Sequence, residues 1–140
     1  MHLVKEFDVS RARETAVAVI EDDETLVGLF PDTETRVVDR TRDRKTTVSR
    51  YRALGQEGEA IFHFTFLVDG NVRFEKVCDG RVWRELRGEV SFEECGGGTR
   101  VRIEMDGRTK PFIPEFTIKT PMQEQIEQMA GALRTRIEKG

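Results

Sequence analysis

Ile61-Phe62-His63-Phe64-Thr65-Phe66-Leu67-Val68-Asp69-Gly70-Asn71-Val72-Arg73-Phe74-Glu75-Lys76-Val77-Cys78 is the stretch from which the fold can be read. Successive side chains on a strand point to opposite faces, so Phe62, Phe64 and Phe66 share one face while His63 and Thr65 share the other. Asp69-Gly70-Asn71 is a turn signal between two such runs, which makes the stretch a β-hairpin. Taken as a three-residue loop, it pairs Val68 with Val72, Phe66 with Phe74 and Phe62 with Cys78 on the apolar face. His63, Thr65 and Leu67 then go to the outer face.

The same punctuation recurs on both sides. Leu54-Gly55-Gln56-Glu57-Gly58, Asp79-Gly80 and Cys95-Gly96-Gly97-Gly98 separate further strand-length runs, so a β-meander is expected with strands at 34–41, 44–54, 59–68, 72–78, 82–94 and 99–108. Closing the Gly-rich loop so that Phe92 opposes Val101 puts Val90, Ile103 and Met105 on the inner face. The Asp79-Gly80 hairpin has two solutions. A two-residue turn sends Trp83 and Glu85 inward, a three-residue loop sends Val82, Arg84 and Leu86 inward, and a bulge at Gly88 would reconcile the two halves of the strand.

Upstream, residues 2–9 alternate as a first strand through Leu3, Phe7 and Val9, and Ser10 is the expected cap of a helix from Arg11. Ala12, Thr15, Ala16, Val19 and Ile20 fall on one face of that helix, which Asp22-Asp23 ends; a second short helical piece runs from Glu24 to Phe30 and stops at Pro31. Downstream, Thr120, Pro121 and Gln123 form a capping box with proline at the first helical position. The apolar stripe Met122, Ile126, Met129, Leu133, Ile137 follows, acidic residues leading and Arg134, Arg136 and Lys139 trailing in agreement with the helix dipole. Residues 110–118, apolar but carrying two prolines, read as a lid or an extra helical turn.

At 140 residues, with 37% hydrophobic side chains in periodic positions, the chain is expected to form a single domain over residues 1–140. No run is long and apolar enough to span a membrane, and Met1 to Glu6 lacks the apolar core of a signal peptide, so a cytoplasmic location is expected. The 23 basic and 26 acidic side chains are interspersed, which leaves no general nucleic-acid footprint. Arg36, Arg40, Arg42, Arg44, Lys45, Arg50 and Arg52 make the hairpin 36–52 locally basic. It reads as a solvated hairpin or, alternatively, as a surface for transient membrane or protein docking. Cys78 and Cys95 sit at opposite ends of one strand, too far apart to bridge, and are expected as free thiols.

Phe7-Asp8-Val9 followed by an amphipathic helix ending at Leu29-Phe30-Pro31, and Gly88-Glu89-Val90-Ser91-Phe92-Glu93 leading into Gly97-Gly98-Thr99-Arg100-Val101, resemble the opening and the penultimate hairpin of the SRPBCC superfamily. That superfamily includes START lipid-transfer domains, pathogenesis-related plant proteins and polyketide cyclase-like proteins. The resemblance covers essentially the whole chain and implies an α+β, helix-grip fold. In that fold a seven-stranded curved antiparallel sheet wraps around a long C-terminal helix, with two short helices after the first strand. It also implies a START-like domain with a cavity for a lipid, sterol, polyketide or similar apolar molecule. The segment between Pro111 and Pro121 departs from the simplest members, in which the last strand runs straight into the helix.

The candidate ligand-binding residues follow from face and element. Phe62, Phe64, Phe66 and Phe74 are either filled core or cavity lining, and Val90, Met105, Met122, Ile126, Met129 and Leu133 face them; thioethers suit irregular cores and variable guests alike. Phe116 belongs to the proline-rich segment at the mouth. Tyr51 and Trp83, each the single residue of its type, offer one polar atom apiece to a ligand or to a structural hydrogen bond. Arg84 and Glu85 are the candidates for an inward charge, because alternation turns one of them inside. His63 is expected outside, and Asp22-Asp23-Glu24 reads as solvated caps rather than a metal site.

No His-Glu-x-x-His, Cys-x-x-Cys, Gly-x-Ser-x-Gly or P-loop motif is present, so no catalytic residue, metal or cofactor is assigned. Three functions compete: a binding or carrier protein for a small hydrophobic molecule, a polyketide cyclase or dehydratase, and a protein-interaction module like the co-chaperone and ribosome-associated members of the fold.

Overall fold

The computed structural model describes residues 1–53 and 56–139; the expected turn at Leu54-Gly55 lies outside them, as do the side chains of Arg52, Ala53 and Gln56. The elements in chain order are β1 (His2–Val9), α1 (Arg13–Glu21), α2 (Asp23–Gly28), β2 (Glu34–Arg40), β3 (Arg44–Ala53), β4 (Gln56–Phe66), β5 (Val72–Lys76), β6 (Trp83–Cys95), β7 (Gly98–Thr109) and α3 (Phe116–Lys139). The seven strands form one antiparallel sheet in the order β1-β7-β6-β5-β4-β3-β2. This is the helix-grip architecture, with α3 as the closing element.

Period-2 patterning decides what lies between sheet and helix. Val72 and Phe74 of β5, Val90 and Phe92 of β6, and Val101, Ile103 and Met105 of β7 are buried, as are Phe62 and Phe64 of β4. The α3 stripe Met122, Ile126, Met129, Leu133 and Ile137 is buried against them, with Ala16 and Ile20 of α1 and Leu26 of α2 closing one side. The Gly-rich turn is as expected: Phe92 pairs with Val101 and Val90 with Ile103, and Gly96 and Gly97 take the positive φ values of 56° and 88° that a two-residue turn needs.

Four local expectations are corrected. The β4–β5 hairpin pairs Phe66 with Val72, Phe64 with Phe74 and Phe62 with Lys76, two residues away from the three-residue-loop register. The loop is 67–71, closed by Leu67 N–H donating to Asn71 O and Gly70 N–H to Leu67 O, and the Arg13 guanidinium of α1 grips the Asp69 carbonyl. A shift of two keeps every side chain on its face, so the phenylalanines stay inside. Val68, expected to pair with Val72, lies fully in solvent.

The β6 bulge sits at Arg84, between Trp83 and Glu85, rather than at Gly88. One extra residue there lets Trp83 and Leu86 both face inward, combining the two alternatives for this hairpin. Gly88 has a different role: it faces Phe74 across the ladder, and a side chain there would collide with that ring and with the Glu104 carbonyl.

α1 starts at Arg13 with no side-chain cap. Ser10 instead donates its N–H and hydroxyl to the Glu138 carboxylate near the end of α3, at 2.7 and 2.9 Å. α3 begins at Phe116, so Pro121 is internal and the Thr120 capping box is not formed. The first turn closes without it, through Thr117 N–H to Pro114 O at 3.1 Å, Lys119 N–H to Glu115 O at 3.1 Å and the Thr117 hydroxyl to Pro114 O at 2.7 Å. Residues 116–118 are thus the extra helical turn rather than a lid.

Candidate functional site

The interior is filled at one end and hollow at the other. Phe64 is 1% exposed, its ring 6.3 Å from Phe62 and 6.1 Å from Phe74, and Val90, Met105, Met129 and Leu133 pack the same region. These residues are solid core, together with Phe74, Met122 and Ile126. Phe66 lies half-buried near the end of β4 with Lys45 Nζ 5.6 Å from its ring centroid, and Phe116 is 79% exposed on the first turn of α3.

Beyond Phe62 the packing opens into a cavity of about 230 Å³. Its aromatic walls are Phe30, Tyr51, Phe62 and Trp83, with Phe30 and Phe62 stacked at 5.4 Å; Ala60, Val82 and Leu86 complete the apolar surface. Four polar side chains reach it: Thr33, Ser49, Lys76 and Gln125 of α3. Among the sequence-based candidates, then, Tyr51, Phe62 and Trp83 line the cavity. Phe30, Ser49, Lys76 and Leu86 line it too, though none was among those candidates; Lys76 faces inward in either register, and the two-residue shift moves it from opposite Phe64 to opposite Phe62, beside the cavity.

Glycines make room for these rings. Tyr51 pairs with Gly58, where an added Cβ would come 2.6 Å from the tyrosine oxygen. Tyr51 and Thr33 also line a polar surface cleft bounded by Pro31, Glu34 and Arg50, so they stand between cavity and solvent.

Arg84 and Glu85 do not face inward. The bulge turns Arg84 to solvent and Glu85 to the outer face, where it pairs with Arg87 at 3.2 Å. The charge that does reach the cavity is Lys76, whose ammonium has no ion-pair partner among the described residues. Asp79 is the nearby carboxylate that feels it, but Asp79 is held below its usual range chiefly by the Arg81 N–H, donated at 3.0 Å, and pairs with the Arg81 guanidinium at 3.4 Å.

The hydroxyls along β2 and β3 form a directed chain. Thr33 donates its only hydroxyl proton to the Phe30 carbonyl at 2.7 Å. Thr35, 3.0 Å away, must therefore donate to Thr33, and Ser49, 2.7 Å from Thr35, must donate to Thr35. Ser49 Oγ consequently has lone pairs but no proton to offer the cavity. One row deeper, Thr47 is fully buried with its hydroxyl unpartnered.

Elsewhere, His63 lies on the outer face with Nδ1 2.8 Å from the Thr46 hydroxyl. Asp22 caps α2 by accepting from the Glu24 N–H at 3.3 Å. In the basic hairpin, Arg40 and Lys45 both pair with Asp23, whose carboxyl is lowered first by the Arg40 hydrogen bond and then by that of Lys45. Both cysteines are free, Cys78 half-buried and Cys95 exposed. Among the described residues no helix is long and apolar enough to cross a membrane.

No protein-family model matches the chain, and no curated protein sequence matches it. Its fold does match solved structures. A Thermus thermophilus protein is 20% identical with a TM-score of 0.80, over 98% of this chain and 97% of that one. A START superfamily protein from Mycobacterium smegmatis is 19% identical with a TM-score of 0.77, over 99% and 97%. The Zhui aromatase/cyclase from Streptomyces sp. R1128 is 10% identical with a TM-score of 0.77, over 99% and 91%. At these identities the likeness is one of fold: the chain has the helix-grip architecture of START and cyclase structures.

Proposed function

We propose that this protein binds and carries a small hydrophobic molecule in the cavity between Trp83, Tyr51 and the first half of α3. The observation that carries this reading is a cavity of about 230 Å³ with aromatic and aliphatic walls and a few converging polar atoms, the usual make-up of a small-molecule site. A fold shared with a START superfamily protein and an aromatase/cyclase supports hydrophobic ligand binding or cyclase chemistry at the coarse level. Binding is preferred to catalysis because, among the described residues, Lys76 and Tyr51 are the titratable groups that line the cavity, with no carboxylate or imidazole beside them. General acid–base chemistry needs a pair within reach of the substrate with affinities near the working pH.

Native mass spectrometry of protein purified from its own host tests the reading. A retained small molecule, lost when Ala60→Trp fills the cavity floor, supports it. A protein that carries nothing, and whose Trp83 emission responds to no small apolar compound, would refute it.

A further inference from the structure

We infer that the ligand is a small, planar hydroxy acid, held with its acidic group on Lys76 and its hydroxyl on Ser49. This rests on the binding reading above and adds what kind of molecule the cavity takes.

The two polar ends of the cavity are opposite in hydrogen-bonding character. Lys76 offers donors and a positive charge and accepts nothing. It lines the cavity beside Phe62 and Leu86 and has no ion-pair partner among the described residues, so an anionic oxygen of the ligand would gain a charge-assisted hydrogen bond there. Ser49 is the reverse. The directed chain through Thr35 and Thr33 to the Phe30 carbonyl consumes its proton, so it can only accept, and a ligand group facing it must donate.

The spacing of these ends bounds the ligand. Ser49 pairs with Ala60 and Lys76 with Phe62, so they lie two strands and one inward-facing row apart. At the ordinary sheet spacings that is roughly 12 Å between Cα positions, shortened by the reach of the lysine chain. An apolar cavity of ~150 Å³ holds one benzene ring; about 230 Å³ therefore has space for a second ring or for polar substituents. Walls made of Phe30, Tyr51, Phe62 and Trp83 favour a flat aromatic guest, which gains from ring contacts as well as from area. A long-chain fatty acid or a sterol exceeds this space.

Isothermal titration of the full chain with 6-hydroxy-2-naphthoate, 2-naphthoate and 2-naphthol tests the assignment. The hydroxy acid is expected to bind best, 2-naphthol at least ten-fold more weakly, and 2-naphthoate several-fold more weakly. Lys76→Met should remove the advantage of the acids while leaving 2-naphthol affinity unchanged. Ser49→Ala should remove the advantage of the hydroxyl and leave 2-naphthoate unchanged, and retained 2-naphthol or 2-naphthoate binding shows that each variant is folded. Equal binding of all three probes, or an acid preference that survives Lys76→Met, overturns the inference and leaves the carrier reading standing. No binding of any probe by a protein that also carries nothing from its host overturns both.

Discussion

Trp83 packs directly on the backbone of Gly107: a methyl group added at Gly107 would lie 2.5 Å from indole Cζ3 and 3.1 Å from Leu86 Cδ1. Leu86 is the cross-strand partner of Gly107, and the bulge at Arg84 brings the indole to the same spot from one residue beyond. The missing side chain on β7 thus sets the position of one cavity wall. Gly107→Ala is expected to push the indole into the cavity, costing about 1–3 kcal/mol by overpacking. Trp83 emission should shift and the affinity for 2-naphthoate should fall; unchanged emission would contradict the packing.

Gly88→Ala should be worse than Gly107→Ala. At Gly88 the obstacle includes the Glu104 carbonyl as well as the Phe74 ring, and a backbone atom within the sheet cannot swing aside as a side chain does. Chemical denaturation of the two variants should rank them in that order.

Phe64 and Phe62 are neighbours on one face of β4 but differ in surroundings. Phe64→Ala empties a fully packed site and is expected to cost ~3–5 kcal/mol. Phe62→Ala should cost less, since part of its ring already borders open space and has fewer contacts to lose. Equal losses in urea unfolding would mean that the cavity is closed in solution.

The Ser10–Glu138 link ties the end of α3 to the β1–α1 junction. The Ser10 N–H, and then its hydroxyl, hold the Glu138 carboxyl below its ordinary range. A carboxylate lowered on folding adds stability above its unfolded pKa, and that stability is lost as pH falls through the folded value. Glu138→Gln should therefore lower the Tm at pH 7, with the gap to the parent closing in the acid range below about pH 4. A gap of constant size from pH 7 to pH 3 would show that charge is not involved.

Cys95 is exposed and Cys78 half-buried, with no disulfide. A thiol reagent should modify Cys95 first in the native protein and both residues after denaturation without reductant. A single reactive thiol in the denatured chain would contradict this arrangement.

Local periodicity was enough to determine which way most side chains face. Alternation put Phe62, Phe64 and Phe74 inside, helical spacing put Met122 through Ile137 against them, and the glycines at 96 and 97 set the last hairpin's register, because each pattern involves only neighbours in the chain. Tertiary structure decided the rest. The β4–β5 loop took five residues, with Arg13 from a distant helix gripping Asp69; parity cannot distinguish registers that differ by two, yet that difference puts Lys76 opposite Phe62. The bulge moved from Gly88 to Arg84, turning both charged candidates outward and admitting Trp83 and Leu86 together. Where the interior is hollow was not legible at all, because a void is the difference between the volumes that facing layers supply. Phe64 and Phe62 carry the same side chain on the same face, and only what meets them across the sheet makes one core and the other a wall.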